Sequence, residues 1–415
     1  MTQTSVQTED NSEIRRGAED GLREIGVGLI SVGWMGRLHT RAYKAVAERF
    51  PELGLRARLV IAADTVVGSA TQAAVVLGYE NWTLDYHEVL NHPDVDVVSI
   101  CAPNFLHKEM ALAAAEAGKP FWIEKPMGRG SAESGEIARA AHRAGIVTAV
   151  GFNYRQAPAV QHARAMIQGG RLGRITNVRC WLLADYSADP SGARTWRFEK
   201  DRAGTGVLGD LVSHGFDLAQ FLAGQITDVT ALTQTIIAER PKPVGGAASH
   251  FSQGAVGDLK PVENEDYAGI LARFASGAVG TFESSRVAVG PRAEYIIEVY
   301  GTEGSVRWNF QRLNELEVCL GLNEENHGYT TVMAGPSHGE FARFQPGAGT
   351  SMGFDDLKTI EAGLFLESVA SGKQLAPSAA DGWSAASVAE AAIESAADGG
   401  WHKVGAISGT TTYDA

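Results

Sequence analysis

The sequence predicts an α/β domain on a parallel sheet, followed by an α+β domain whose sheet is antiparallel or mixed. Three observations carry this. Through the first half, short apolar runs alternate with alanine-rich helical stretches, the pattern of βαβ units. A glycine-bearing turn, Ser31-Val32-Gly33-Trp34-Met35-Gly36, joins the first run to the first helix. In the second half, turn signals such as Ser276-Gly277 and Thr302-Glu303-Gly304 separate neighbouring strand-like runs, which makes hairpins of them.

Taken in order, residues 1–22 are polar and acidic and read as a disordered tail. Residues 23–151 read as the first domain. Its strands are Val27–Ser31, Leu59–Ala63, Val97–Cys101, Pro120–Ile123 and Val147–Val150, each short and apolar. Helices over Lys108–Ala117 and Ala132–Ala144 separate the last three. Gly118 and Gly145 stand where C-terminal caps belong. Residues 152–405 read as the second domain, with a helix over Ala159–Ile167. Strands are expected over Ile175–Leu183, Val229–Thr235, Tyr267–Phe274, Ala278–Ser284, Tyr295–Tyr300 and Ser305–Asn309. Pro241–Lys260, rich in Gly, Pro and Ala, reads as a long loop. Helices over Leu357–Ala370 and Ser384–Ala396 precede a tail at 406–415.

Composition narrows the function. Of 415 residues, 44% are apolar and 20% charged, ordinary for a globular protein with a large core. With 36 basic and 49 acidic residues the net charge is −13, which argues against nucleic acid or an anionic membrane surface as partner. The three cysteines are far apart and form no CxxC, so neither a zinc ribbon nor a disulfide framework is indicated. The cysteine usage points to the reducing cytoplasm, and no apolar run is long enough for a membrane span.

Five segments carry candidate chemistry. In the glycine turn, Gly33 lets the backbone approach a pyrophosphate and Gly36 lets the helix pack on the strand. The free N–H groups of the helix start, at Trp34 and Met35, attract phosphate. Ser31 stands where the usual fingerprint has its first glycine. Asp64, ending the second strand, suits an adenosine ribose diol and repels a 2′-phosphate, which favours NAD over NADP. Glu48–Arg58 reads as the loop that lengthens the interval between Gly36 and Asp64. Asn104, with His107 beyond it, ends the third strand; it suits a ribose or nicotinamide contact, or an N-cap. In Glu124-Lys125-Pro126, the Lys125 ammonium at a strand's carboxyl end can stabilise a developing alkoxide; the alternative is a surface lysine paired with Glu124.

The fifth segment is Gly209–Asp217. If it is helical, Asp210, His214 and Asp217 share one face. His214 is then a general base, with either carboxylate orienting its ring. A metal site is the other reading of the same spacing, disfavoured for want of further ligands. Trp181, Tyr186, Trp196 and Phe198 offer ring faces for a sugar, or core.

Together these segments resemble the glucose–fructose oxidoreductase/inositol dehydrogenase family of NAD(P)-dependent oxidoreductases. The resemblance spans about residues 25–405 and rests on Gly33–Gly36 with His39, Asn104-Phe105-Leu106-His107, Glu124-Lys125-Pro126, Gly209-Asp210 with His214 and Asp217, and Asp381-Gly382-Trp383. It implies a Rossmann domain, then a domain with a large, mostly antiparallel open sheet through which a homodimer or homotetramer forms. It implies Lys125, Asp210 and His214 as catalytic residues. It places Tyr154 and Arg155 at the substrate, and Glu124, Trp196 and Arg197 at the cofactor. The implied substrate is a sugar, glycoside or cyclitol with a secondary hydroxyl.

Overall fold

The computed structural model describes residues 21–243, 254–321 and 327–405. The two expected tails lie outside these, apart from Gly21 and Leu22. Strands β1 (Arg23–Ile30), β2 (Leu55–Ala63), β3 (Asn81–Thr83), β4 (Val97–Ile100), β5 (Phe121–Ile123) and β6 (Thr148–Val150) form a sheet in the order β3-β2-β1-β4-β5-β6. All five pairings are parallel. The crossovers are α1 (Trp34–Arg49), α2 (Val67–Gln72), α3 (Tyr86–Asn91), α4 (Asn104–Glu116) and α5 (Ser131–Ala144). Helices on both faces explain why these strands are continuous apolar runs rather than alternating ones. Strand order reverses between β1 and β4, which opens a crevice at their carboxyl ends.

The expected loop over Glu48–Arg58 is instead regular structure. Helix α1 runs to Arg49, a 3-10 turn covers Pro51–Leu53, Gly54 turns the chain at φ +61°, and β2 begins at Leu55. Pro51 and Gly54, which made the segment look like a loop, fall in a 3-10 turn and its cap, and the arginines of early β2 are paired: Arg56 with Glu24 at 2.6 Å and Arg58 with Glu80 at 2.6 Å.

The second domain runs α6 (Pro158–Gln168), β7 (Ile175–Ala184), α7 (Lys200–Ala203), α8 (Val207–Asp210), α9 (Val212–Ala223), β8 (Ile226–Gln234), β9 (Glu239–Pro243) and β10 (Gly254–Pro261). Then follow β11 (Tyr267–Phe274), β12 (Val279–Ser285), β13 (Ala293–Gly301), β14 (Gly304–Asn309), β15 (Glu315–Leu320) and β16 (Thr330–Met333). Last come α10 (Phe341–Phe344), α11 (Phe354–Ser371), α12 (Ala379–Asp398) and β17 (His402–Lys403). Nine strands form one sheet, β16-β15-β14-β13-β7-β12-β11-β8-β17. Within it β12 and β7 are parallel and every other pairing is antiparallel. Helices α9 and α12 cover one face, and burial alternates along β11 and β12 as expected for a sheet covered on one side. The supposed loop over Pro241–Lys260 contains β9 and β10, which pair antiparallel; residues 244–253 between them lie outside the described residues.

Helix α11 belongs to the second half by sequence but packs on the first. Its Ile360, Phe365 and Leu366 share one buried cluster with Ile25, Val27 and Leu29 of β1 and Tyr43 and Val46 of α1. Gly363 admits the Phe50 ring: a Cβ there would sit 3.0 Å from it. At the helix start, Phe354 stacks on Trp34 with centroids 6.1 Å apart, and Asp355 accepts from Arg41 at 2.8 Å.

Candidate active site

The glycine turn lies at the carboxyl end of β1, in the crevice. Ser31 adopts φ +77°, alone among the described non-glycine residues. It takes up the left-handed turn for which the first glycine normally serves. Gly36 is needed for packing, because a Cβ there would lie 2.2 Å from the Ser31 carbonyl oxygen. Gly33, the N-cap of α1, is open: a Cβ there would meet nothing nearer than Ser31 Oγ at 4.0 Å. The first turn of the 16-residue helix carries no acidic residue. An open cradle at a helix N-terminus fits a pyrophosphate. Trp34 stands beside it, 69% exposed, with Met35 next in the same turn. The Asp64 carboxylate is anchored by the turn itself, accepting from Val32 N–H at 2.8 Å and Val66 N–H at 2.9 Å. This fixes it at the end of β2, where a ribose diol would lie.

Lys125 follows β5 and reaches across to the second domain. Its Nζ donates to the Asp210 main-chain oxygen at 2.6 Å and stands 3.2 Å from Asp210 Oδ1. Asp210 Oδ2 accepts from the Tyr186 hydroxyl at 2.8 Å. The Tyr186 phenol is raised well above its usual range, by burial first and then by Asp210. His214 is buried and packed edge-on against Tyr154, centroids 4.7 Å apart, and its Nδ1 has no hydrogen-bond partner. Burial, followed by the positive charge of Lys125, holds the ring well below the usual histidine range, so it is neutral at ordinary pH. A buried neutral imidazole beside a lysine ammonium can accept a hydroxyl proton while the ammonium holds the oxygen.

The single helical face expected for Asp210, His214 and Asp217 does not form. The helix breaks at Leu211 (φ −112°, ψ −67°), so Asp210 ends α8 and His214 lies in α9. Asp210 therefore serves Lys125 and Tyr186 rather than orienting the His214 ring. Asp217 turns to Arg155, which also contacts Asp381 at 2.9 Å. Arg155, expected at the substrate, is thus engaged by two carboxylates. Its guanidinium is buried between two carboxylates and lies 4.9 Å from the Phe221 ring centre, joining α9 to α12. Burial raises the Asp217 carboxyl to about 7 despite Arg155. The three residues also diverge too far to share a metal; among the described residues no cluster of three such ligands exists.

Glu124, expected at the cofactor, points inward. It is buried against Gly151, where a Cβ would meet its carboxylate at 2.7 Å. Its Oε1 is 2.9 Å from His39 Nε2 and 2.6 Å from Lys358 Nζ. Burial pushes this carboxyl up, but Lys358 and His39 outweigh it and hold it far below the usual range. Burial takes His39 down to about 4. Asn104 is not an N-cap, since Pro103 occupies that position; its amide donates to the Ala203 carbonyl at 2.7 Å. His107, also expected at the cofactor, has both ring nitrogens occupied, by Pro126 O at 2.9 Å and Ala102 O at 2.7 Å. It ties the β4 and β5 ends together. Trp196 and Arg197 form a 3-10 turn, with the guanidinium 4.3 Å from the indole ring centre and within reach of Asp210 and Tyr186.

Lys358 and Glu361, both buried, belong to no motif in the sequence, and Tyr186 stands out there only as a ring. The available signal was a lysine and a glutamate one helical turn apart in the otherwise apolar stretch Leu357–Leu366.

Comparison with known proteins agrees with this architecture. Residues 25–152 match the oxidoreductase family with an NAD-binding Rossmann fold, and residues 160–307 match the GFO/IDH/MocA C-terminal domain. Levoglucosan dehydrogenase of Pseudarthrobacter phenanthrenivorans is 40% identical over 390 residues, covering 93% of this chain and 100% of that protein. Inositol 2-dehydrogenase of Rhizobium meliloti is 28% identical over 375 residues, 89% of this chain and 96% of that protein. A solved levoglucosan dehydrogenase in complex with NADH and levoglucosan superposes with a TM-score of 0.86 at 38% identity, covering 92% of this chain and 100% of that one. No helix among the described residues is long and apolar enough to cross a membrane. The chain belongs to the GFO/IDH/MocA family of NAD(P)-dependent oxidoreductases, with an NAD-binding Rossmann domain followed by the family's C-terminal domain.

Proposed function

We propose that the protein is an NAD-dependent dehydrogenase that oxidises a secondary hydroxyl of a sugar, glycoside or cyclitol to a ketone, or runs the reverse reduction. The observation that carries this reading is the reach of Lys125 from the cofactor domain to Asp210, four residues before His214. Full-length similarity to levoglucosan dehydrogenase supports an anhydrosugar as the first substrate to try.

The geometry supports the following division of roles. Gly33 and the start of α1 cradle the pyrophosphate, and Asp64 receives the ribose hydroxyls, favouring NAD over NADP. Bound NAD+ supplies the two-electron acceptor for the carbinol carbon. Lys125 donates to the carbinol oxygen and stabilises its growing negative charge. His214, held neutral, takes the hydroxyl proton; in the reverse direction it returns that proton as acid. Tyr186 and Asp210 hold the ammonium in place. Tyr154, edge-on to the His214 ring, and Arg197, near Asp210, are assigned to sugar contact.

The open face of the nine-stranded sheet exposes Leu232, Leu271 and Val279. This supports self-association through that face, which sedimentation equilibrium would read directly.

The test is reduction of NAD+ followed at 340 nm across levoglucosan, inositols and simple glycosides. Lys125→Met and His214→Ala should each lower kcat by about 10²-fold or more, the scale of lost acid–base help. Near-normal turnover in both variants, or no NADH with any polyol, sinks the reading.

A further inference from the structure

Glu124 sits in a pocket that cannot hold it alone. An ionised carboxylate removed from water needs a charged or hydrogen-bonding partner on each side. Here α1 supplies His39 at 2.9 Å and α11 supplies Lys358 at 2.6 Å. Lys358 is 1% exposed and lies 234 positions further along the chain. Its ammonium also stands 2.8 Å from Glu361 Oε2, on the same helix and equally buried. Gly151 gives the Glu124 carboxylate the space it occupies, since a Cβ there would lie 2.7 Å from it. Glu124 continues the β5 ladder, donating its N–H to the Ile100 carbonyl at 3.0 Å. With that side chain fixed inward, the next one is directed to the cleft.

We propose that Lys358 is a positioning residue for the redox reaction: from helix α11 it locks Glu124, and through Glu124 it aims the adjoining Lys125 at the substrate oxygen. The same contact balances charge around His214. The groups facing that ring are Lys125 and Glu124 from the end of β5, Lys358 from α11, Asp210 from the preceding turn, Tyr154 from the 3-10 turn at Asn153–Gln156, and Tyr295 from β13. Of these, Lys125 and Lys358 disfavour a protonated ring, while Glu124 and Asp210 favour it. Removing Lys358 alone leaves Glu124 uncompensated and makes His214 easier to protonate. The inference rests on the dehydrogenase reading above for its kinetic arm, but not for its titration arm.

The test uses the full-length chain. In Lys358→Met, kcat should fall at least ~10-fold with KM for NAD+ held within about threefold, as for a misaimed rather than an unbound reactant. Proton NMR of histidine-labelled, cofactor-free protein should show His214 protonating at higher pH than in the wild type. The double variant Glu124→Gln/Lys358→Met replaces an ion pair with uncharged groups, a change that folded proteins commonly tolerate. It carries the test if the single variant does not fold. In it the His214 titration should return towards wild type while kcat stays low, because nothing now aims Lys125. Wild-type kcat in the double variant overturns the proposal. So does an unmoved His214 titration in the single variant accompanied only by lost thermal stability. A wild-type protein that reduces no NAD+ with any polyol defeats the function reading instead, and the titration still decides this one.

Discussion

Lys125 meets Asp210 at two atoms, the main-chain oxygen at 2.6 Å and the carboxylate at 3.2 Å, and the far carboxylate oxygen is held by Tyr186. The lysine is thus tied to the backbone of the second domain, and the carboxylate adds charge to that tie. Asp210→Asn keeps the main-chain contact and should lower kcat by about tenfold. Tyr186→Phe, which frees one carboxylate oxygen, should cost less. Steady-state kinetics at saturating NAD+ order the two; equal losses, or a larger loss for Tyr186→Phe, would contradict the arrangement.

Gly33 and Gly36 are three residues apart and should fail differently. A Cβ at Gly33 meets nothing nearer than Ser31 Oγ at 4.0 Å, whereas one at Gly36 collides with the Ser31 carbonyl. Gly33→Ala should keep the melting temperature and weaken NAD+ binding by roughly tenfold or more, by filling the phosphate cradle. Gly36→Ala should lower the melting temperature itself. Calorimetric melting together with NAD+ titration separates the two, and a destabilised Gly33→Ala counts against an open cradle.

Asp64, proposed as the ribose acceptor, is held by two backbone N–H groups. Asp64→Ala should weaken NAD+ and improve relative use of NADP+, since the repulsion of a 2′-phosphate disappears. The ratio of kcat/KM for the two cofactors reports this. An unchanged ratio would remove Asp64 from the cofactor site.

Glu361 offers a stability test with a defined sign. Burial raises its carboxyl from 4.5 to about 8 despite Lys358. The folded protein therefore keeps a proton that the unfolded chain releases, so this group's contribution is full below the ordinary carboxyl range and is lost as pH rises through the folded value. Glu361→Gln removes that dependence. Between about pH 5 and pH 9 the melting temperature of the variant should climb relative to wild type. A constant difference across that range would mean that Glu361 is ionised throughout.

Most strand positions were legible because burial alternates or runs on in the primary structure; Tyr267–Phe274 matches β11 residue for residue. What failed was short, charged or edge-placed. Strand β3 has three residues, and Pro51 and Gly54, which form only a brief turn, made the start of β2 read as loop. In the site, motif and position singled out Lys125 and His214, whose catalytic roles are the proposal made above. The common face of Asp210 and His214 was not, because it assumed an unbroken helix across Leu211. Glu124 looked like a cleft residue from its place at a strand end. Only the fold reveals that Lys358 waits for it, 234 positions away.

Helix α11 closes the hydrophobic cluster beneath β1 and α1 with Ile360, Phe365 and Leu366. A fragment cut after residue 152 would bare that greasy seam and leave Glu124 without its ammonium, so the nucleotide-binding half should be less stable when severed from the rest of the polypeptide.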